Sequence, residues 1–385
     1  MIQRENDVEG ILCRRTGIIT PPLQDAGLVP LSNLVAIVST FSDLEIVTGN
    51  CGMKLFDGKT QPSNIKIYSI NYPIEKNPFV KVIRYLTGQV KYTFLIFKHR
   101  HLVRTWIFFI GETMPFPMLA AVILKKNVFL SIAGSLSRAA KFSEDFFLIP
   151  TKLLSSLSHR IAGHIILYSP NLVTEWSLTP YRPKILIAHE HYLDFATFTV
   201  TTPYPDRPPL IGYIGRLSGE KGVQHFVQAL PAILSNNQDL RVLIGGDGRL
   251  KDAIETSLQE NGIINRVDLP GWISHDDLPK YLNQLRLLIL PSYTEGLPNI
   301  MLEAMACGTP VLATPVGAIP DIIRDGETGF IMENNSPECI ARNVLRALTH
   351  PDLEGIAEKG RQYVEREFTF EKAVERWRGI LQDIQ

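Results

Sequence analysis

The segment at residues 291–314, PSYTEGLPNIMLEAMACGTPVLAT, constrains the fold of this chain more than any other stretch. It follows a nearly continuous apolar run at residues 285–290, LRLLIL, which predicts a strand buried on both faces and ended by Pro291. Pro298 suits the first turn of a helix, and Gly308 suits its end. The segment therefore predicts a strand, a loop and a helix, with the loop at the strand end where open α/β sheets bind ligands.

The loop and the helix start supply groups that suit a bound anion. A helix amino end favours negative charge such as phosphate, and Gly296 has no side chain to hold an anion away. A glutamate on a helix is most often solvated, but Glu303 stands among apolar residues, where a charge is avoided unless it has a partner. The predicted anion-binding segment comprises Gly296, Leu297, Pro298, Asn299 and Ile300.

Glu295 and Glu303, with seven residues between them in the run EGLPNIMLEAMACGTPVLAT, resemble the signature of a known enzyme family. These are the retaining nucleotide-sugar glycosyltransferases of group 1, also called family 4, which have the GT-B fold. The resemblance implies that Glu303 holds the ribose hydroxyls of the donor. It also implies that Glu295 lies beside the transferred sugar, and we take Glu295 as the catalytic residue. The resemblance is strong over residues 208–334 and topological only before residue 200.

A second motif, G-R-L-x3-K-G at residues 215–222, follows an apolar strand run at residues 210–214. Two cations at a strand end and helix start can converge on one diphosphate, although either alone could be a surface cation. The family resemblance implies that Arg216 and Lys221 bind the pyrophosphate of the donor. By the same resemblance, the other donor-binding positions are Gly215, Gly246 in a GGDG turn, and Gly271 and Ile273 at the base.

A length of 385 residues suits two domains, and strands alternate with helices in both halves. We expect an α/β protein with two doubly wound, Rossmann-like domains facing a cleft, of the GT-B type. The proline-rich stretch at residues 201–209 reads as the linker. The expected domains are an acceptor-side domain at 1–205, a nucleotide-sugar-binding domain at 206–368, and a terminal helix at 369–385 that crosses back to the first domain.

Four cysteines without a CxxC pair indicate reduced thiols in a cytoplasmic protein, and the polar first 15 residues predict no cleavable signal peptide. The longest apolar stretch, residues 105–124, contains Glu112, Pro115 and Pro117, which argue against a transmembrane helix. A strand at 105–110, a turn and a helix at 118–125 fit this stretch better.

The net charge of zero hides two oppositely charged halves, with +7 over residues 1–205 and −7 over residues 206–385. Residues 76–141 contain eleven Lys or Arg and one acid, without a motif that reads nucleic acid. Attraction to an anionic membrane or a phosphate-bearing acceptor fits this pattern, and mutual attraction of the two domains is the alternative. The basic and aromatic stretch at 79–102 suits either a helix in the membrane interface or a core helix with a solvated face.

Three positions bear on how far the family pattern extends. Gly27 is the one glycine near the position where the family usually has a glycine pair, and it is our acceptor-side candidate. Where family members often have a histidine that touches the transferred sugar, this chain has Ala133. The HEH run at residues 189–191 superficially suggests a metal site, but adjacent side chains on an extended segment point apart, which favours a loop.

These observations support three hypotheses. The first is a retaining glycosyltransferase that uses a UDP- or GDP-sugar and a glycan or lipid-linked acceptor, without a metal or other cofactor and without nucleic acid. The second is a catalytically silent nucleotide-sugar-binding subunit of GT-B fold, and the third is a GT-B sugar-nucleotide epimerase. We expect a cytoplasmic protein with peripheral contact to the inner face of an anionic membrane.

Overall fold

A computed structural model of the chain describes residues 15–23, 27–56, 61–70, 77–134, 148–235 and 237–382. By contacts the chain divides into two compact units. The first comprises Met1–Tyr168, Trp176–His191 and Phe370–Gln385, and the second comprises Ser169–Glu175 and Tyr192–Thr369. Each unit contains one parallel sheet, as expected for two doubly wound α/β domains.

The described strands and helices alternate along the chain. The strands are β1 (Arg15–Leu23), β2 (Leu44–Asn50), β3 (Ile65–Ile70), β4 (Val103–Phe109), β5 (Asn127–Ser131), β6 (His164–Leu167), β7 (Ile185–Ile187), β8 (Leu210–Ile214), β9 (Arg241–Gly245), β10 (Val267–Gly271), β11 (Leu287–Leu290), β12 (Val311–Ala313) and β13 (Phe330–Ile331). The helices are α1 (Leu28–Val38), α2 (Pro78–Lys98), α3 (Pro115–Ile123), α4 (Leu148–Ile161), α5 (Asn171–Glu175), α6 (Val223–Ser235), α7 (Lys251–Glu260), α8 (Leu278–Leu282), α9 (Asn299–Ala306), α10 (Ile319–Ile322), α11 (Pro337–Leu348), α12 (Leu353–Glu367) and α13 (Phe370–Gln382).

The first unit has a seven-stranded sheet in the order β3-β2-β1-β4-β5-β6-β7. The chain moves outward from β1 to β3, crosses back through α2 to β4, and then moves outward in the other direction. Since parallel crossovers are right-handed, this reversal places α2, α3 and α4 together on one face of the sheet. Contacts of α3 with both α2 and α4 agree with this arrangement.

The second unit has a six-stranded sheet in the order β10-β9-β8-β11-β12-β13. All residues of β8, β11 and β12 are buried, as expected for strands covered on both faces. The apolar run at residues 210–214, which predicted a strand, gives the observed bounds of β8.

The proline-rich stretch at residues 201–209 lies inside the second unit. The fully buried Arg207 anchors it, because its guanidinium group donates to the carbonyls of Leu285 and Cys307 and to the hydroxyl of Thr309. Contacts therefore fix this stretch against β11 and α9 rather than leaving it as a free spacer.

The long apolar stretch at residues 105–124 forms most of β4, a turn and α3. In the described part of the chain, no helix is both long enough and apolar enough to cross a bilayer. The helix begins at Pro115, earlier than expected, because a proline fits the first turn, where its missing N–H costs no hydrogen bond.

The terminal helix α13 belongs to the first unit and packs against α1. Its fully buried Trp377 donates from Nε1 to the carbonyl of His189 at 3.2 Å, and the Arg378 guanidinium lies 5.4 Å from the ring centroid of Phe41. These contacts connect the end of the chain to the loop after β7.

That loop contains a buried carboxyl group. Glu190 has no exposed surface, and its Oε1 accepts a hydrogen bond of 2.6 Å from the Tyr168 hydroxyl. Burial raises the pKa of Glu190 to about 7, although the hydrogen bond from Tyr168 acts in the opposite direction. The folded chain therefore holds a proton on Glu190 at pH values where an unfolded chain has lost it.

We predict that Glu190 makes the protein less stable as pH rises. Because the carboxyl pKa is higher in the folded chain, the contribution of Glu190 to the free energy of unfolding is complete below the unfolded pKa of 4.5. This contribution is lost as pH rises to about 7. The loss corresponds to roughly 3 kcal/mol. Thermal unfolding of Glu190→Gln should therefore show a gain over the wild type at about pH 8 and little change at about pH 4.5.

The exposed Glu371→Gln on α13 is the matched control and should leave the pH dependence of the melting temperature unchanged. A difference between Glu190→Gln and the wild type that is the same at both pH values would contradict this assignment.

Candidate functional site

Four loops of the second unit meet at the carboxyl edge of its sheet. They follow β8, β9, β10 and β11, which are neighbours in the order β10-β9-β8-β11 and run parallel. Backbone hydrogen bonds join these loops directly: Gly246 N to Gly271 O at 2.7 Å, Leu217 N to Asp247 O at 2.9 Å, and Tyr293 N to Glu220 O at 2.9 Å. The edge therefore brings together the sequence motifs at residues 215–222, 245–248, 271–273 and 295–303.

Gly246 allows two of these loops to touch. Its φ of +134° lies in a region that side-chain-bearing residues rarely adopt, and a Cβ atom at this position would lie 1.9 Å from the carbonyl oxygen of Gly215. The GGDG turn therefore lies directly against the strand end that precedes Arg216.

Arg216 lies on the exposed side of this edge, with 63% of its side chain accessible. Its Nη1 is 3.3 Å from Glu220 Oε1, and Glu220 also accepts 2.7 Å from the Ser218 hydroxyl. Burial raises the pKa of Glu220, but hydrogen bonding from Ser218 and the charge of Arg216 outweigh this and lower it overall. The backbone at Arg216 is held by the buried Tyr213, whose hydroxyl donates to the Arg216 carbonyl at 2.7 Å.

Lys221 and Glu295 form a close ion pair. Lys221 Nζ is 2.7 Å from Glu295 Oε1 and 2.8 Å from Oε2, and Ser292 Oγ donates to Oε1 at 2.7 Å. The Glu295 side chain is 9% exposed and that of Lys221 is 26% exposed, so the pair is largely shielded from water. The structure thus brings together two residues that are 74 positions apart.

Glu303 lies in the second turn of α9 with a side chain that is 9% exposed. Its Oε1 is 3.1 Å from Nε2 of His275, a residue of the loop after β10. Hydrogen bonding to the Glu303 carboxylate raises the pKa of His275. The charge on Glu303 therefore has a partner, as its apolar surroundings required.

The loop after β10 contributes backbone groups and one large aromatic ring, that of Trp272. Gly271 has a φ of +76°, which turns the chain at the strand end. Ile273 packs over β9, since a Cβ atom on Gly245 would lie 2.4 Å from Ile273 Cδ1. Trp272 between them is 77% exposed, and His275 two residues beyond Ile273 reaches Glu303.

The segment from Gly296 to Ile300 forms the approach to α9. Pro298 is the N-cap residue with a φ of −74° and has no N–H, so it fixes the backbone and adds no donor to the site. Ala318 N donates to the Gly296 carbonyl at 2.8 Å, which orients the loop from its other side. The remaining members, Leu297, Asn299 and Ile300, carry N–H groups at or before the first helical turn, where no earlier carbonyl of the helix can accept them.

Sequence reasoning identified the two carboxylates and the two cations but not the residues that orient them. His275, Ser292 and Glu220 each contact one of the four charged residues. Only sheet order brings His275 to Glu303, so no local pattern could have revealed it. Among the first-unit candidates, Gly27 is the N-cap residue of α1, with a φ of −89°. Ala133 follows β5 and is half-buried.

Comparison with known proteins supports the family expected from the motifs. Residues 196–364 match the family model for glycosyl transferases group 1. The alpha-D-kanosaminyltransferase of Streptomyces kanamyceticus is 29% identical over 180 residues, which cover 46% of this chain and 47% of that protein. The 2-deoxystreptamine glucosyltransferase of the same organism is 33% identical over 143 residues, which cover 37% of each protein. The chain thus spans less than half the length of these two relatives.

The fold is similar over nearly the whole chain to that of solved structures. The crystal structure of HepE from Anabaena in complex with UDP has a TM-score of 0.74 to this chain, at 14% identity, covering 96% of this chain and 100% of that one. At this identity the similarity concerns the fold. It shows a fold of the GT-B type for the chain, while the match to the group 1 model lies within the second unit and covers less than half of the chain.

Proposed function

We propose that this protein is a retaining glycosyltransferase that moves a sugar from a UDP- or GDP-sugar to a glycan or lipid-linked acceptor. The observation that carries this proposal is the Lys221–Glu295 ion pair at the edge where Arg216, Gly246 and the start of α9 converge. A carboxylate and a cation in contact at such an edge suit the two halves of a nucleotide-sugar, one neutral and one anionic.

The free-energy barrier to glycosyl transfer comes from developing charge, because the anomeric carbon becomes oxocarbenium-like while the diphosphate leaves as an anion. Lys221, Arg216 and the amides before α9 would stabilise this leaving group. Arg216 is free to turn toward a phosphate, since its 3.3 Å contact with Glu220 is long and its side chain is mostly exposed. Donors aimed at a developing anion typically contribute about 3 to 4 kcal/mol each to lowering the barrier.

Lys221 has a second role in this proposal, which is to neutralise the charge of the Glu295 carboxylate. A bare Glu295 carboxylate would repel a diphosphate, whereas the paired carboxylate is neutralised at 2.7 Å. When the donor binds, Glu295 would accept hydrogen bonds from sugar hydroxyls while Lys221 moves its charge toward the phosphate. Ser292 keeps a hydrogen bond to Glu295 during this exchange.

Glu303 would accept the ribose hydroxyls, with His275 holding the carboxylate in place. The base would then lie against the backbone from Gly271 to Ile273, which directly precedes His275 in the chain. The proposed base site and the proposed ribose site are therefore adjacent, as the base and the ribose are in a nucleoside. HepE, which has the same fold, was solved with UDP bound, and this supports a nucleoside diphosphate as the ligand class.

In the proposed reaction the bond between the anomeric carbon and the diphosphate oxygen breaks, and the acceptor oxygen bonds to the same face of that carbon. The acceptor proton passes to the leaving phosphate oxygen, so the reaction is balanced without a separate base. We propose that no divalent metal is required, because Arg216 and Lys221 supply the positive charge at the phosphates.

The alternative of a catalytically silent subunit depends on Ala133, which stands where many family members have a sugar-contacting histidine. Such a subunit would keep the donor-binding groups of the second unit and release no product. Turnover distinguishes the two functions.

We predict that the purified chain releases UDP or GDP from a matching nucleotide-sugar in the presence of a chelator. The measurement is nucleotide release over a panel of UDP-, GDP- and ADP-sugars with EDTA, together with the anomeric configuration of the product by NMR. Binding of a donor without release, under every acceptor tested, would favour the silent subunit. An inverted product or a strict requirement for a divalent ion would contradict the mechanism.

We also predict distinct effects for two donor-site variants. Lys221→Ala should lower kcat/KM by about 100- to 1000-fold, because it removes a donor to the leaving group and leaves Glu295 unneutralised. Glu303→Ala should weaken nucleotide binding by roughly 1.5 to 3 kcal/mol, about 10- to 150-fold, as expected for losing hydrogen bonds to a charged group. Donor affinity is measured by calorimetry, and turnover is measured by nucleotide release.

The matched controls are Lys359→Ala and Glu327→Ala, exposed residues of the second unit whose ion pairs lie elsewhere on its surface. Both should retain wild-type affinity and turnover. Equal losses in the site variants and the controls would show that the effect is not specific to the donor.

A further inference from the structure

Helix α2 of the first unit differs from an ordinary surface helix in which of its side chains are buried and which are exposed. Several of its side chains toward the protein are hydrogen-bonding groups, although the apolar Ile96 is also fully buried. The hydroxyls of Tyr85 and Tyr92 and the amide of Gln89 donate to backbone carbonyls at 2.9, 2.9 and 3.0 Å. The acceptors are the carbonyls of Thr113 and Thr20. The helix is therefore anchored largely through polar atoms, and most of its apolar side chains lie on the other side.

The exposed side of α2 carries a continuous apolar stripe. Its members recur at intervals of three or four residues, the spacing of one helical face. Six of them are between 42% and 73% exposed: Phe79, Ile83, Leu86, Val90, Phe94 and Phe97. A stripe of this kind normally packs into a core, so its exposure indicates a surface that binds an apolar partner.

The neighbouring helices extend this surface. On α3, Phe116 is 49% exposed and Ile123 is 66% exposed, and on α4, Leu153 is 68% exposed. Since α2, α3 and α4 lie side by side on one face of the sheet, these side chains and the α2 stripe form one surface, which we name the α2–α3–α4 face. With α2 about 30 Å long and helices about 10 Å apart, it measures roughly 30 by 20 Å.

The charge around this face is of one sign. Residues 77–134 and 148–161 contain ten Lys or Arg and one acid, Glu112. Glu112 is buried, where its Oε1 contacts the Ser155 hydroxyl at 2.8 Å and His159 Nε2 at 3.1 Å. The exposed cations include Lys81, Lys91 and Lys98 on α2 itself. Apolar side chains flanked by cations are complementary to an anionic lipid surface, with acyl chains beneath phosphate groups.

We propose that the α2–α3–α4 face docks on an anionic lipid bilayer, with α2 lying flat in the interface. The four basic residues along α2 exclude a spanning orientation, and no described helix meets the length and hydropathy that spanning requires. A second copy of the chain is a poor occupant, because two such faces would bring like charges together. This docking does not depend on the glycosyltransferase reaction.

The test is co-sedimentation of the full chain with vesicles of phosphatidylcholine, either alone or with about one third phosphatidylglycerol. We expect binding to the anionic vesicles at about 0.05 M NaCl, weaker binding at about 0.5 M, and little binding to neutral vesicles. Val90→Ser with Phe94→Ser should reduce the partition coefficient by about tenfold or more, since both side chains lose apolar contact with lipid. Lys91→Gln with Lys98→Gln should reduce it by about fivefold per charge.

Matched controls are Val29→Ser on α1 and Lys359→Gln with Lys372→Gln on α12 and α13, all exposed and outside the α2–α3–α4 face. They should bind vesicles like the wild type. Equal effects of face and control variants, absence of binding to anionic vesicles, or salt-independent binding to neutral vesicles would each overturn the proposal. So would a dimer, seen by sedimentation velocity, that Val90→Ser with Phe94→Ser dissociates, because the face would then belong to a second copy.

Discussion

The parallel pairing of β8 with β9 on one side and β11 on the other is the constraint on which the site depends. Parallel strands place all their carboxyl ends at one edge, so loops far apart in sequence become neighbours. At that edge Gly246 lies against the backbone of Gly215 without space for a side chain. The positions of Arg216 and Lys221 therefore follow from backbone packing more than from contacts of their own side chains.

The electrostatics of this edge bear on how an acid could lie beside the proposed anion site. Two like unit charges about 4 Å apart cost about 4 kcal/mol at an effective dielectric constant near 20. An unpaired Glu295 would oppose a diphosphate by an energy of this order. Lys221 neutralises it through their ion pair, and His275 similarly partners Glu303. Each carboxylate thus has a cation or a titratable partner, which the proposed binding of a neutral sugar or ribose would replace.

The first unit shows a different use of the same architecture. Its sheet is covered on one face by helices whose inward side chains are partly polar, and the hydroxyl of Tyr92 reaches the carbonyl of Thr20 in β1. Such bonds satisfy backbone carbonyls while leaving the apolar side of α2 outside.

The sequence by itself determined the elements and the chemical groups of the site. The apolar run at residues 210–214 gave the bounds of β8, and the motifs at residues 215–222 and 295–303 contain the charged side chains of the site, because strand burial and loop chemistry depend on neighbouring residues. It left the orientation of α2 open, since periodicity shows that a helix has an apolar stripe but not which side faces the sheet. Tertiary structure decided that orientation and the His275–Glu303 contact, because both depend on strand order, which brings together residues that no local pattern connects.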